Sequence, residues 1–404
     1  MRDLSETGSG NDSWLRSAAR ETYCILWRET AWPRRGCSGD PVAAKADPMV
    51  QALYDPSIFP AGDGPDEIER RLWRLPLPLP FALRSVNVYL AEDGGGGWTL
   101  FDSGLGLPED EAALRAGLAS AGVRMEQISA LVLTHAHPDH IGLAGTIVAA
   151  SGCPVYMLAE EAERMYRVWG RDGSEEVIEA LRTMYLANGL SEEALTSVAP
   201  STRMMRQILR LPGASSISPV VDGETLVVGK RRYEAIWTPG HSDYHLCLLR
   251  DDGVFFAGDH VLPEITPNIG LYPDARPSPL SDYYASLDRV RALPARITLP
   301  GHGRPFPELA RRVDELRTHH QERSAATLAA VAAHPAGATA GQLADTLFAG
   351  RLHSADNQRF ALVETLAHLE RLVQADQVMR QRQGSAITYT LAAAPTIVSS
   401  VQMP

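Results

Sequence analysis

Lysine is almost missing from this 404-residue chain: only Lys45 and Lys230 occur, and the other cationic side chains are arginine. With alanine so abundant, that preference reads as codon bias, not chemistry. Positive charge is short altogether. The 38 Lys and Arg face 49 Asp and Glu, a formal net charge of −11, so no global field draws the chain toward nucleic acid or an anionic membrane. Cysteine is sparse as well. Cys24, Cys37, Cys153 and Cys247 are scattered and form no Cys-x-x-Cys pair, which argues against a disulfide framework and a thiolate zinc site. No apolar run is long enough to span a bilayer, and the polar N-terminus lacks the apolar core of a signal peptide. A reducing cytoplasm is the expected location. The remaining composition, 45% hydrophobic and 22% charged, is that of a soluble globular protein. The length suits two domains.

Against this background the segment from Thr134 to Gly142 stands out, reading Thr-His-Ala-His-Pro-Asp-His-Ile-Gly. His135, His137, Asp139 and His140 fall within six residues. Packing does not explain that density, because His and Asp are rarely buried without a partner. Clustered imidazoles and a carboxylate are the ligand set of a divalent transition metal.

Residues 1–48 are rich in Ser, Arg, Gly and Trp without a sustained period and read as a disordered extension; a helical pattern over Trp14 to Trp27 is weak. The pattern becomes strand-like from Leu75. Arg84 to Leu90 alternates, and Trp98 to Phe101 is a second strand ending in Asp102-Ser103-Gly104. Pro108 to Ala121 reads as a helix with acids in its first turn and Gly122 as its stop. Ala130 to Thr134 is an apolar strand, so the histidine cluster sits at a strand's carboxyl end, where α/β proteins place ligands. A helix is expected from Asp139 to Ser151 and a strand from Pro154 to Leu158. Residues 159 to about 213 have helical periodicity and interrupt the βα alternation as a helical insertion. Strands return at Glu224 to Val228, Arg232 to Trp237, His245 to Leu249, Val254 to Ala257 and Ile297 to Leu299. Three of them are followed directly by polar turns: Thr238-Pro239-Gly240-His241, Gly258-Asp259-His260 and Pro300-Gly301-His302-Gly303. After Pro307 the character changes. A long Arg/Glu-rich helix to about Ala333, helices at Gln342 to Phe348 and Ser354 to Ala375, and a ribbon of Val378 to Arg382 with Ala386 to Leu391 form a winged-helix pattern.

The run Thr-His-Ala-His-Pro-Asp-His, with Asp102-Ser-Gly upstream and His241, Asp259 and His302 downstream, resembles the metallo-β-lactamase superfamily, most nearly its glyoxalase II-type hydrolases. With the appended module it is similar to the lactamase-β-like-2 branch. The resemblance covers about residues 70 to 305. It implies an α/β fold, the αββα sandwich, with a helical insertion at about 159–213 in a catalytic domain of 49–306. A linker helix and winged-helix-like domain would occupy 307–404.

Residue chemistry agrees with the ligand set so implied. His135 and His137 lie two apart on an extended segment, so both rings can reach one ion, and His241 supplies a third nitrogen. Three protein ligands and an open position make a catalytic zinc geometry. Asp139 and His140 point to a neighbouring position that His302 completes, and Asp259 is the natural carboxylate bridge. Asp139 could instead cap its helix. The resemblance gives Asp102 the task of orienting a ligand histidine. Two metals roughly 3.5–4 Å apart can share a hydroxide whose pKa they lower toward about 7, with Asp139 and Asp259 as the carboxylates at the reacting centre. Zinc is expected, although His/Asp sets accept iron and manganese too. His260 would hydrogen-bond locally, His245 would be a core histidine, and His319, His320, His334, His353 and His368 would be surface or structural.

Two relatives are disfavoured. The bridging position is Asp259, where the resemblance to true zinc β-lactamases would require Cys. Redox chemistry of the flavodiiron type would need a flavodoxin-like domain that does not follow. The expected function is hydrolysis of a small ester-like molecule: a thioester, lactone or carboxyl ester. The helical insertion and the segment Leu262 to Pro273 would wall the pocket, with Asn268, Tyr272 and Tyr244 as candidate substrate contacts. A ribonuclease or phosphodiesterase, or a winged-helix regulator with a metal-sensing domain, is the alternative. Residues 335–404 count against both, because five arginines (351, 359, 371, 380 and 382) balance five acids (Asp345, Asp356, Glu364, Glu370 and Asp376), whereas a phosphate-tracking surface is basic. The appended module is expected to pack on the catalytic domain or to form a homodimer contact; partners are a small-molecule substrate, with no nucleic acid and no membrane. Purified protein should carry about two transition-metal ions per chain by elemental analysis. Asp259→Ala or His137→Ala should lose metal and turnover while circular dichroism stays native; an active metal-free enzyme would overturn the reading.

Overall fold

A computed structural model describes residues 64–80, 83–171, 173–352 and 354–392. The extension at 1–48, the helix at Trp14 to Trp27, the domain start at Met49, and His353 lie outside the described residues.

Two sheets face each other. The first has seven strands in sequence order: β1 (Asp66–Glu69), β2 (Leu72–Pro78), β3 (Ser85–Glu92), β4 (Trp98–Phe101), β5 (Ile128–Val132), β6 (Val155–Leu158) and β7 (Ile217–Val220). Its first four strands pair antiparallel, and β4 to β7 pair parallel. The second sheet contains β8 (Thr225–Val228), β9 (Arg231–Trp237), β10 (Leu246–Arg250), β11 (Val254–Gly258) and β12 (Ile297–Pro300), in the order β12-β11-β10-β9-β8. Side chains alternate across each strand, and the inward sets form one core: Tyr89, Phe101, Ala130 and Val132 against Tyr233, Ala235, Leu248 and Phe256. The rings of Phe101 and Phe256 stack across the seam at 3.7 Å.

Helices cover both outer faces, which completes the αββα sandwich. On the first sheet lie α1 (Pro108–Ser120), α2 (Pro138–Ile141), α3 (Ala144–Ser151) and α4 (Ala159–Trp169); of the other insertion helices, α5 (Glu175–Ala187) and α6 (Glu192–Leu195) turn toward the C-terminal core, and α7 (Val198–Ile208) returns to this layer. Leu114, Leu118, Ile147, Met165 and Met205 from this layer join a core with Leu75, Val88, Leu100 and Leu131. On the second sheet lies α8 (Pro279–Arg291), whose Leu280, Tyr283, Leu287 and Val290 pack on Ile236, Cys247 and Phe255.

The helix expected across Asp139 to Ser151 is broken. At Gly142 and Leu143 the chain leaves the helix so that the Gly142 N–H donates to the Gly104 carbonyl and its own carbonyl accepts from Arg210 N–H, each at 2.7 Å. A Cβ at Gly142 would lie 2.0 Å from the Leu105 carbonyl carbon, so no larger residue fits this crossing. The structure also adds β1, β7 and α8; of these α8 does carry local signals, Ser278-Pro279 at its start, Asp282 in its first turn and Arg289 and Arg291 in its last. β7 is a four-residue edge strand containing Pro219, and proline is tolerated at such edges.

Beyond the sandwich, α9 (Leu309–Ala332) runs 24 residues. Its first half, through Val313 and Leu316, packs on the second sheet's helix layer. Its last turns join a separate core with α10 (Ala340–Leu347), α11 (Ala355–Gln374) and the ribbon β13 (Val378–Gln383) and β14 (Ala386–Leu391). That core also takes Ile178 and Tyr185 from α5, so the C-terminal unit packs on the insertion. Among the described residues no helix is long and apolar enough to cross a membrane. Phe256→Ala should empty the seam between the sheets and cost about 3–5 kcal/mol, read as a lower midpoint in chemical denaturation.

Candidate metal centre

Five strand ends deliver the site. β4 runs into Asp102, β5 into His135, β9 into His241, β11 into Asp259 and β12 into His302. His135 and His137 lie on the extended run after β5, and α2 then turns Asp139 and His140 back toward them. The N-cap of α2 is His137 and no side-chain cap bond forms, so Asp139 is not a capping residue.

Three groups of donor atoms converge, each within 4.8 Å: His135, His137 and His241; His135, His140 and Asp259; and Asp139, His140 and His302. His135 Nε2 and His137 Nδ1 are 2.9 Å apart. Asp259 Oδ2 lies 3.5 Å from both His140 Nε2 and His241 Nε2, and 3.3 Å from His302 Nε2. It therefore stands between the two halves. Asp139 Oδ2 is 3.5 Å from His302 Nε2 and 3.8 Å from His140 Nε2.

For His135, His140, His241 and His302 the opposite ring nitrogen is tied elsewhere, which aims the other one inward. His140 Nδ1 meets Asp102 Oδ2 at 2.7 Å, His241 Nδ1 meets the Asn268 carbonyl at 2.9 Å, and His302 Nδ1 meets the Ser85 carbonyl at 2.8 Å. His135 Nδ1 meets Thr134 Oγ1 at 2.9 Å. Asp102 sits in the left-handed region at φ 61°, and its Oδ1 also accepts the Thr134 N–H at 2.8 Å. One carboxylate thus holds both His140 and the start of the ligand run. Asn87 donates to the carbonyls of Pro300 and Gly303 and ties β3 to the His302 turn. A Cβ at Gly301 would fall 2.1 Å from Asp259 Oδ1, so that turn admits only glycine.

Among the described residues, His140 Nε2, His241 Nε2, His302 Nε2 and Asp259 Oδ1 are buried without a hydrogen-bond partner. Buried polar atoms carry a penalty when unpaired. Their number and convergence, with N and O donors suited to zinc, iron or manganese, fit a metal centre. In the half made by His135, His137 and His241 the electrostatics agree. Burial, reinforced by neighbouring imidazoles, holds His135 and His137 well below the usual imidazole range, and burial lowers His241. Neutral imidazole is the form that ligates. In the other half burial opposes ionisation, but His302 and His140 hold the Asp259 carboxyl well below its ordinary range. Burial likewise opposes a charged His302, yet Asp259 and Asp139 hold it at about 10.

Two supports escaped the sequence reading. Glu161 on α4 accepts the Ala136 N–H at 2.8 Å and the Ser242 hydroxyl at 2.6 Å through the same Oε1. Ala136 lies between the candidate ligands His135 and His137 and Ser242 follows His241, so one buried carboxylate clamps both loops. Trp169 at the end of α4 donates to the Ala136 carbonyl at 2.8 Å. Nothing local distinguishes Glu161 from the other acids of its helix; only the fold brings it here.

A cavity of about 520 Å³ opens beside the centre. His137, Asp139, His241, Asp259 and His302 lie at its base, and the insertion helices supply Val168, Trp169, Leu181 and Met204. Asn268 and Tyr272 line it, as does Phe360 from α11. Tyr244 is not among the lining residues; its ring stacks on Trp237 at 6.3 Å, which removes it from the candidate contacts. Helix α11 holds the 262–273 segment: Leu271 N–H donates to the Val363 carbonyl at 3.0 Å and Asn268 Nδ2 to Glu364 Oε2 at 3.4 Å.

His245 is a buried support, with Nδ1 on Thr238 Oγ1 and Nε2 accepting the Asp259 N–H at 3.2 Å. The local bond expected of the His260 side chain is not formed; its ring packs on Tyr283 instead. His320 and His368 are buried in the C-terminal layers rather than on the surface, and His334 bonds the Ala330 carbonyl within α9.

A two-sheet sandwich with histidine and aspartate loops at its strand ends defines an α/β metallohydrolase scaffold. The chain belongs to the metallo-beta-lactamase superfamily: residues 82–302 match it, and residues 325–390 match the metallo-beta-lactamase-like C-terminal domain. The crystal structure of a metallo-beta-lactamase family protein, TTHA1429 from Thermus thermophilus, is 35% identical, with a TM-score of 0.71 over 80% of this chain and 100% of that one. "Probable metallo-hydrolase YqjP" of Bacillus subtilis is 25% identical over 61% of this chain and 77% of its own. An atrochrysone carboxyl ACP thioesterase of Aspergillus fumigatus is 26% identical over 63% of this chain and 62% of its own length, under two thirds of that protein. Fold and relatives together make the chain a metal-dependent hydrolase. Glu161→Gln, which keeps size but weakens both bonds, should lower metal affinity about 10–100-fold, read by competition with a chromogenic chelator.

Proposed function

We propose that the protein is a dinuclear hydrolase of a small ester-like substrate, with thioesters, lactones and carboxyl esters as the candidate classes. The observation that carries this reading is the cavity: donor atoms crowd its base while its walls are largely apolar, from Val168, Trp169, Leu181, Met204 and Phe360. Such a space suits an acyl chain whose scissile carbonyl reaches the base. The relative named as an ACP thioesterase is consistent with it. When bound, the ions supply Lewis acidity and lower the pKa of water.

The chain's own residues do the rest. His135, His137 and His241 would hold one ion, and Asp139, His140 and His302 the other. Asp259 would bridge them and offset their charge. Asp102 and the carbonyls of Asn268 and Ser85 fix the imidazole orientations, and Trp169 helps to keep bulk water from the base. Zinc is the proposed metal, with iron and manganese as alternatives. The order of the motifs supports a glyoxalase II-type hydrolase as the proposed subfamily.

Nuclease or regulator readings are weaker. In the winged-helix reading of the C-terminal unit, α11 is the helix that nucleic acid would meet. Yet Leu362, Val363, Leu366 and Leu369 of α11 are buried in protein, and the cavity carries the acids Glu161, Asp274 and Asp356 beside its arginines. The test is a panel of thioesters, lactones, carboxyl esters, phosphodiesters and β-lactams, assayed with metal analysis. One ester-type class should be turned over far faster than any phosphodiester and should stop on chelation; preferential phosphodiester cleavage would overturn the reading.

A further inference from the structure

The cavity wall contains a cation that the protein leaves unpaired. Arg164 lies on α4, three residues after Glu161, and lines the cavity together with His137 and Tyr272. Among the described residues no hydrogen bond or ion pair involves Arg164. Its neighbours on the same wall are all engaged. Arg167 bonds Asp274 at 2.6 Å, and Arg359 bonds the Ala194 carbonyl at 2.9 Å. A guanidinium carries five donors in a planar fork. The half-buried fork faces the cavity with its donors open to whatever occupies that space.

The surrounding carboxylates do not cap this fork. Glu161 spends Oε1 on Ala136 and Ser242, Asp243 accepts the Arg276 N–H, and Asp274 bonds Arg167. Their field acts from further away. Burial works against the Arg164 charge, but Glu161, Asp274 and Asp243 more than offset it, and the cation stays fully charged. The Tyr272 hydroxyl is electrostatically coupled to Arg164, and no hydrogen bond involving it occurs among the described residues either. Two unused donors of different type therefore share one stretch of wall. Arg164 and Tyr272 line the same cavity as His137 and His241. The same cavity is lined by the apolar side chains of Val168, Trp169, Val177 and Met205.

We infer that Arg164 and Tyr272 form an oxyanion subsite, so that the substrate carries a carboxylate on an otherwise apolar acyl body. This rests on the hydrolase reading for its placement, but the subsite binds anions whether or not turnover occurs. The fork of Arg164 receives the carboxylate side-on, and the Tyr272 hydroxyl adds one donor. The scissile carbonyl then reaches the base of the cavity, while the chain between lies on Trp169 and its neighbours. The subsite would select among esters of one length by their distal group.

The test compares octanesulfonate with octanol by titration calorimetry on the metal-loaded full chain. Sulfonate is a poor metal ligand and resembles the carboxylate in charge and shape. The wild type should favour the sulfonate by about 10–100-fold, the range for one or two charge-assisted hydrogen bonds. Arg164→Met, with metal content and circular dichroism checked, should bring the ratio near unity. Arg164→Lys should keep part of it, and Tyr272→Phe should lower it by a smaller factor. No preference in the wild type, or one that survives in Arg164→Met, would overturn the subsite. If Arg164→Met fails to fold, Arg164→Gln replaces it under the same criteria. A kinetic arm sets nitrophenyl hydrogen adipate against nitrophenyl hexanoate. Absence of turnover of both would count against the hydrolase reading alone, because the calorimetric ratio is read without it.

Discussion

The structure depends on one costly arrangement: imidazoles and carboxylates forced together where water is largely excluded. His135, His140, Asp139, Asp259 and His302 are all buried, and burial of such groups is tolerated only when each donor and acceptor has somewhere to go. The protein meets this from both sides. Outward-facing nitrogens are bound to Asp102, to the Ser85 and Asn268 carbonyls and to Thr134, and inward-facing ones converge on Asp259. The rigid sandwich behind them explains why the loops hold this geometry. Each loop starts at the end of a strand whose other residues are locked in the core between the sheets.

That centre is also the reason for the parts outside the sandwich. Helix α4 does three tasks within a few turns. Glu161 and Trp169 grip the backbone between the candidate ligands His135 and His137, Met165 packs on the sheet layer, and Arg164 faces the cavity. The C-terminal unit does more than shield a surface. Through α11 it holds the 262–273 segment, which carries the carbonyl that orients His241, and Phe360 enters the cavity wall. The chemical base of the site belongs to the sandwich, whereas the shape of the space above it is set jointly by the insertion and this appended helix.

Much of this was legible because the relevant signals are local. The run from Thr134 to Gly142 follows a buried strand and names four ligand-type residues outright. The turns carrying His241, Asp259 and His302 also follow strands directly, so their residues could be picked from order and chemistry. The C-terminal elements, with clean helical and alternating periods, fall within a few residues of the pattern read from sequence. Other features had no local mark. β7 is four residues long, and the break at Gly142 exists because another backbone crosses there.

The sequence alone therefore determined the class of scaffold, the candidate ligand residues and their order at strand ends. Those properties are written in residue type and in short-range period, which do not depend on distant contacts. Tertiary structure decided which atoms aim inward, which acid of α4 becomes the clamp, that Tyr244 stacks on Trp237 instead of reaching the cavity, and that Arg164 is left without a partner. Each of these is a relation between segments far apart in the chain. Glu161 and Ser242, separated by 81 positions, share a bond of 2.6 Å because two sheets and a helix layer pack in one way, and no window of sequence contains both.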